Sequence, residues 1–155
     1  MITDWIDKMF RYSFNREWYE TYWAIDIHGV VLKPTYRRNN FRAHFYPYAK
    51  ETLKLLSDRK DVILIMFTSS YPEEIKNYIK TFEPLGIHFK YINENPEIDS
   101  SRGNFGYYKD KFYFNVLFED KAGFNPEIEW NEIYNLLKEY ECKNYFPNQK
   151  WTTKF

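Results

Sequence analysis

Apolar and polar positions fall into segments that read as alternating helices and strands. Trp5, Ile6, Met9 and Phe10 recur at helical spacing, so residues 3 to 12 are expected to form a short amphipathic helix on the domain's flank. Residues 22 to 27 are apolar and partly β-branched, and Gly29 follows, the pattern of a buried strand ending in a tight turn. Residues 32 to 46 keep no sustained period and contain Pro34 and Asn39-Asn40, which predicts a loop or flap. Pro47 then opens a helix with Leu53, Leu55 and Leu56 on its inner side. The run over residues 62 to 67 is apolar on both faces, as a central parallel strand must be. Pro72 starts a helix to about Thr81, and residues 87 to 92 read as a third strand after Gly86. Residues 93 to 110, with Pro96, Gly103 and Gly106, form a polar loop. A fourth strand over 113 to 118, a last helix over 126 to 140 and a tail over 141 to 155 complete the pattern.

Strands alternating with helices predict an α/β chain. Parallel strands need long crossovers, and helices supply them on the sheet faces. The expected architecture is a Rossmann-like, three-layer α/β/α fold with a mainly parallel central sheet. The 155 residues suffice for one domain with its own core, and no repeat, low-complexity tract or linker divides them.

Composition narrows the function classes. Lysine plus arginine equals aspartate plus glutamate, 22 each, so broad contact with a nucleic-acid backbone is not expected, although a local basic patch is compatible. The single Cys142 cannot form an intramolecular disulfide and reads as an inert thiol on the last helix. The N-terminal segment carries Asp4 and Asp7 and lacks the form of a signal peptide. No stretch of about 18 apolar residues is present to span a membrane, so a cytoplasmic location is the default. The 15 Tyr, 14 Phe and 5 Trp are not grouped with basic residues along one strand, so they read as core and surface and not as a base-stacking platform.

Ligands of an open parallel sheet bind beyond the carboxyl ends of its strands. Past the first predicted strand stand Asp26 and His28, and past the second stand Thr68, Ser69 and Ser70. Lys111 lies just before the fourth strand, with Glu119 and Asp120 just after it. Carboxylates, hydroxyls and a lysine at one sheet edge suit phosphoryl transfer. A carboxylate can attack phosphorus, oxygen ligands can hold magnesium, and hydroxyls and a lysine can hold the phosphate oxygens.

In their order these residues resemble the haloacid dehalogenase-like hydrolases, with the likeness running over about residues 22 to 140. WAIDIHGVV is similar to the family's first motif, an apolar strand followed by Asp-x-Asp-Gly, and puts Asp26 at the nucleophile position. LIMFTSS matches the second motif through Thr68, with Ser69 beside it as a substrate contact. Lys111 is the better match to the family's lysine, with Lys109 in reserve, and NVLFEDKAGF matches the acidic fourth motif through Glu119 and Asp120. The resemblance implies a magnesium-dependent phosphatase working through an aspartyl-phosphate. The metal would be held by Asp26, Asp120, Glu119 and the backbone carbonyl of His28.

The chain departs from the family at His28, where phosphatases carry the second, acid–base aspartate. Four readings are open: the imidazole does the acid–base work itself, turnover is slow, the protein binds a phosphorylated ligand or partner without turning it over, or His28 has a plain structural role, hydrogen-bonded in the turn. A receiver domain is set aside, because its acidic pair comes early and its acceptor mid-chain, the reverse of the order here. Both candidate cap positions, residues 31 to 46 and 93 to 110, are short, so the site is expected to be open. An open site suits a large phosphorylated substrate, such as a nucleic-acid end or a protein, unless a second subunit of a homodimer closes it. Arg37, Arg38, Arg42 and His44 in the flap, among Tyr36, Phe41 and Phe45, suit a nucleotide or nucleic-acid end and equally suit a solvated basic loop; the partner expected is a phosphorylated small molecule, nucleotide or nucleic-acid end.

Overall fold

The computed structural model describes residues 1–16, 18–35, 41–98 and 106–142. In chain order these form α1 (Ile2–Asn15), β1 (Thr21–Ile25), α2 (Ala49–Asp58), β2 (Val62–Met66), α3 (Pro72–Phe82), β3 (Tyr91–Ile92), β4 (Val116–Phe118) and α4 (Glu129–Cys142). The strands lie in the order β3-β2-β1-β4, and every pairing is parallel. This is the Rossmann-like α/β architecture expected, a parallel sheet flanked by helices. β1 and β2 are buried at all five positions, as their unbroken apolar runs require.

The two outer layers are unequal. Trp23, Ile25, Leu64, Met66 and Phe118 face one large core, to which all four helices contribute through residues such as Phe10, Leu53, Phe82 and Trp130. On the opposite face Tyr22, Ile63 and Ile65 form a smaller cluster, covered by Tyr91 of β3 and by Ile98, Phe112 and Tyr113 of the segment joining β3 to β4. Topology explains the difference. The steps β1 to β2 and β2 to β3 move the same way across the sheet, so right-handed crossovers put α2 and α3 on one face. The return from β3 to β4 crosses the other face, and the chain spends a polar segment on it.

Several boundaries differ from the sequence expectation for identifiable reasons. The third strand is confined to Tyr91–Ile92, because Ile87 and Phe89 are drawn into the helical-layer core. The fourth begins at Val116, because Asn115 occupies the preceding rung with its side chain: the Tyr22 N–H donates to Asn115 Oδ1 at 2.7 Å, while the Asn115 N–H donates to the Tyr22 carbonyl at 2.7 Å. The second helix begins at Ala49, after a turn at Pro47 and a left-handed Tyr48 with φ of 62°. The last helix runs from Glu129 to Cys142, since Asn125 to Ile128 are held in a turn by the Glu129 carboxylate, which accepts the Asn125 N–H at 2.6 Å. The flap is tied at its base by Lys33 N–H to the His44 carbonyl (2.7 Å) and Tyr46 N–H to the Val31 carbonyl (3.0 Å).

Trp130 couples the helical layer to the loop that follows β1. Its ring stacks on Phe118 with centroids 5.2 Å apart and meets Phe124 edge-on at 5.1 Å. Its Nε1–H donates to the Val30 carbonyl at 2.7 Å in a fully buried setting. Trp130→Phe is therefore expected to cost about 1–3 kcal/mol, the scale of leaving a buried acceptor unsatisfied. Trp130→Ala should cost about 3–5 kcal/mol through loss of the buried ring. Urea unfolding of the three proteins checks the ranking; equal losses in both variants would show that ring packing contributes nothing beyond the hydrogen bond.

Candidate functional site

The site is assembled by strand register. Ile25 pairs with Met66 on one side and with Phe118 on the other, so the residues just beyond these positions emerge side by side. The Asp26 N–H donates to the Phe118 carbonyl at 3.0 Å, and the Phe67 N–H donates to the Ile25 carbonyl at 2.9 Å. Asp26 is thereby set between the end of β2, which leads into Thr68, and the end of β4, which leads into Glu119 and Asp120. Carboxylate oxygens of Asp26, Glu119 and Asp120 lie within 4.8 Å of one another.

Burial raises the Asp26 carboxyl from its ordinary 3.8 to about 6, and the nearby Asp120 charge adds to the effect. The Ile27 N–H, donating to Asp26 Oδ1 at 2.7 Å, and the positive charge of Lys121 oppose it. Glu119 is likewise raised by burial and by hydrogen bonding to Asp120. Asp120 is lowered by that same hydrogen bond, then by the Lys121 N–H, which donates to Asp120 Oδ1 at 2.7 Å, and by the charges of Lys121 and His28. Three crowded carboxylates suit a hard divalent cation, which takes oxygen ligands. The donor set does not by itself single out magnesium.

The turn after Asp26 needs glycine for two reasons. Gly29 has φ of +86°, and a Cβ there would stand 3.2 Å from Asp120 Oδ2. The turn closes through the Val31 and Leu32 N–H groups, which both donate to the Ile27 carbonyl, at 3.0 and 2.9 Å. His28 is exposed on its outer side.

Thr68 is 8% exposed and is held from two directions. Its hydroxyl accepts the Ser70 N–H at 3.1 Å and keeps its own hydrogen as a donor. Asn93, at φ of 53°, clasps the Thr68 backbone: Oδ1 accepts the Thr68 N–H at 2.8 Å, and Nδ2 donates to its carbonyl at 2.7 Å. Ser69 is exposed, and Ser70 Oγ lies 3.0 Å from the Tyr78 hydroxyl. Tyr78 is raised by burial, and its hydroxyl contact with Ser70 sets α3 against the loop that follows β2.

Lys111 is exposed with Nζ 5.5 Å from the centroid of the Phe114 ring. Lys121 is among the charges acting on Asp26. Sequence reasoning passed over Lys121, although it directly follows the acidic pair. It also passed over Asn93 and Tyr78, which nothing in a linear motif distinguishes. Arg42 is exposed and lines a cavity of about 610 Å³ between the flap and α3, together with His28, Phe41, Tyr71, Asn77 and Tyr78. Arg37, Arg38 and Tyr36 lie outside the described residues.

No family model matches the sequence, and no curated protein matches it. Among solved structures the chain is similar to a conserved protein from Bacteroides thetaiotaomicron, at 24% identity and a TM-score of 0.56, over 82% of this chain and 98% of that one. That likeness speaks for the fold alone. No helix among the described residues is long and apolar enough to cross a membrane.

A group whose pKa is raised by folding stabilises the fold below its unfolded value and loses that contribution as pH rises through its folded value. For Asp26 the window runs from about pH 4 to 6. In EDTA the protein should therefore lose stability as pH rises through this range, and Asp26→Asn should flatten the loss. Discounted for the part of the carboxylate still in water, the variant should gain about 1 kcal/mol over the parent at pH 8. Urea midpoints at pH 4 and pH 8 for both proteins measure it.

Proposed function

We propose that this chain is a haloacid dehalogenase-like phosphomonoester hydrolase that uses magnesium and acts through Asp26. The observation that carries the reading is the meeting of Asp26, Glu119 and Asp120 within 4.8 Å at the carboxyl edge of the sheet, with Thr68 at the adjoining strand end. The substrate in this reading is a phosphorylated small molecule, nucleotide or nucleic-acid end, and the compartment is the cytoplasm. A homodimer whose second subunit closes the open side belongs to the same reading.

The Thr68 hydroxyl and the Ser69 N–H orient the phosphoryl oxygens, since the Thr68 and Ser70 N–H groups are held by Asn93 Oδ1 and Thr68 Oγ1. Asp26, ionised above its pKa of about 6, attacks phosphorus. The bond from phosphorus to the ester oxygen breaks, and the leaving alcohol takes a proton from the His28 imidazolium. Neutral His28 then removes a proton from water, whose oxygen attacks phosphorus and releases the Asp26 carboxylate with inorganic phosphate. Magnesium, held by Asp26, Glu119, Asp120 and the His28 carbonyl, would supply neutralisation of phosphoryl charge. Lys121 adds positive charge near the same carboxylates.

A second reading, a phosphate-binding protein without turnover, is favoured by one feature: His28 stands where the family's phosphatases carry an aspartate.

Phosphate release from a panel of phosphomonoesters decides between them. The hydrolase reading expects release that requires magnesium, stops with EDTA, and falls by at least about three orders of magnitude in Asp26→Asn, the scale of losing a nucleophile. His28→Asp should preserve or raise turnover; its complete loss in a folded variant would assign the imidazole a specific role. Silence across the panel, with phosphate still bound, would establish the second reading.

A further inference from the structure

The cavity beside the carboxylates has a chemistry of its own, and we propose that it receives the nucleoside part of a nucleoside monophosphate. The link to substrate turnover rests on the hydrolase reading above, whereas the occupant of the cavity is argued from its walls. Two wall residues connect it to the site. His28, two residues beyond Asp26, lines the cavity, and Tyr78 lines it with its hydroxyl 3.0 Å from Ser70 Oγ in the loop that follows β2. A phosphate held against Asp26 therefore has this cavity within reach for its organic group. At about 610 Å³ the space lies within the ~300–1,000 Å³ usual for small-molecule sites.

The walls combine two features. Tyr71 is 69% exposed and Phe41 is 37% exposed, so two large rings stand in water at the edge of the cavity. Phe41 leans on Tyr78 with centroids 5.8 Å apart, which extends the aromatic surface inward toward the carboxylates. Beside these rings stand the Asn77 carboxamide and the Glu73 carboxylate. Among the described residues neither makes a side-chain hydrogen bond to the rest of the chain. Asn77 offers a donor and an acceptor side by side, as the edge of a nucleobase does, and Glu73 offers an acceptor. A sugar phosphate would use these polar groups and leave the rings in water. A phosphorylated phenol would use the rings and leave Asn77 and Glu73 without a partner. A nucleobase uses both, stacking on the rings while its edge meets the polar groups.

Calorimetric titration of the full chain tests this, with four nucleoside monophosphates, their nucleosides, ribose 5-phosphate and O-phosphotyrosine as ligands. Nucleosides should bind without their phosphate, and the monophosphates should bind about 10-fold or more tighter than ribose 5-phosphate, the scale of one base–aromatic stack. In Phe41→Ala and in Tyr71→Ala that advantage should collapse toward one, and Asn77→Ala should change the ranking among the bases. Tyr71 is exposed enough that its variant keeps the test valid should Phe41→Ala misfold. Equal affinity for ribose 5-phosphate and the monophosphates, tighter binding of O-phosphotyrosine, or no binding at all overturns the inference, and phosphate release then still judges the hydrolase reading. Nucleoside binding without phosphate release from any ester sustains the inference and overturns turnover instead.

Discussion

The Asp26 N–H bonded to the Phe118 carbonyl and the Phe67 N–H bonded to the Ile25 carbonyl close the top of β1 on both of its flanks. Everything at the candidate site depends on this double pairing. Because β1 is parallel to both neighbours, all three strands end at the same edge, and the residues just past each strand emerge there together. A one-residue slip of β4 against β1 would turn its side chains to the opposite face and move the acidic pair away from Asp26. Burial of Trp23, Ile25 and Phe118 in the helical-layer core opposes such a slip.

That alignment brings together groups that repel. Three carboxylates share a few ångströms, and the fold answers locally: Glu119 and Asp26 hold their protons to higher pH, and the Lys121 N–H and side-chain charge favour ionised Asp120. The scaffold around them is correspondingly firm. Trp130 ties the loop after β1 to α4, Asn93 clasps the backbone of Thr68, and Gly29 allows the turn to run against Asp120 without a Cβ in the way.

The strands that carry the site were legible because full burial leaves a plain trace: the apolar runs around Trp23 and Leu64 announce central strands, and polar residues directly after them announce a strand end. Asp26, Thr68, Glu119 and Asp120 could thus be placed from pattern alone. The edges of the sheet were not legible in the same way. Ile87 and Phe89 look like strand residues but serve the core, and Asn115 joins the ladder through its side chain, which no periodicity encodes. Lys111 precedes an apolar run, and the run does not show that the segment before Val116 packs over the sheet face through Phe112 and Tyr113, or that Lys121 brings a positive charge near Asp26. Asn93 and Tyr78 became visible only when strands distant in sequence were laid side by side.

The strand order also has a consequence for the growing chain. β1, β2 and β3 are contiguous in the sheet and complete by Ile92, so this half has its pairing partners while β4 is still to be made. Until Val116 to Phe118 arrive, β1 presents an open edge, the kind of surface that recruits foreign strands. The same wait leaves the Asp26 amide without its Phe118 partner and Asp26 without the acidic pair. Vectorial synthesis therefore brings the three carboxylates together only once Asp120 has been made, with α4 still to follow.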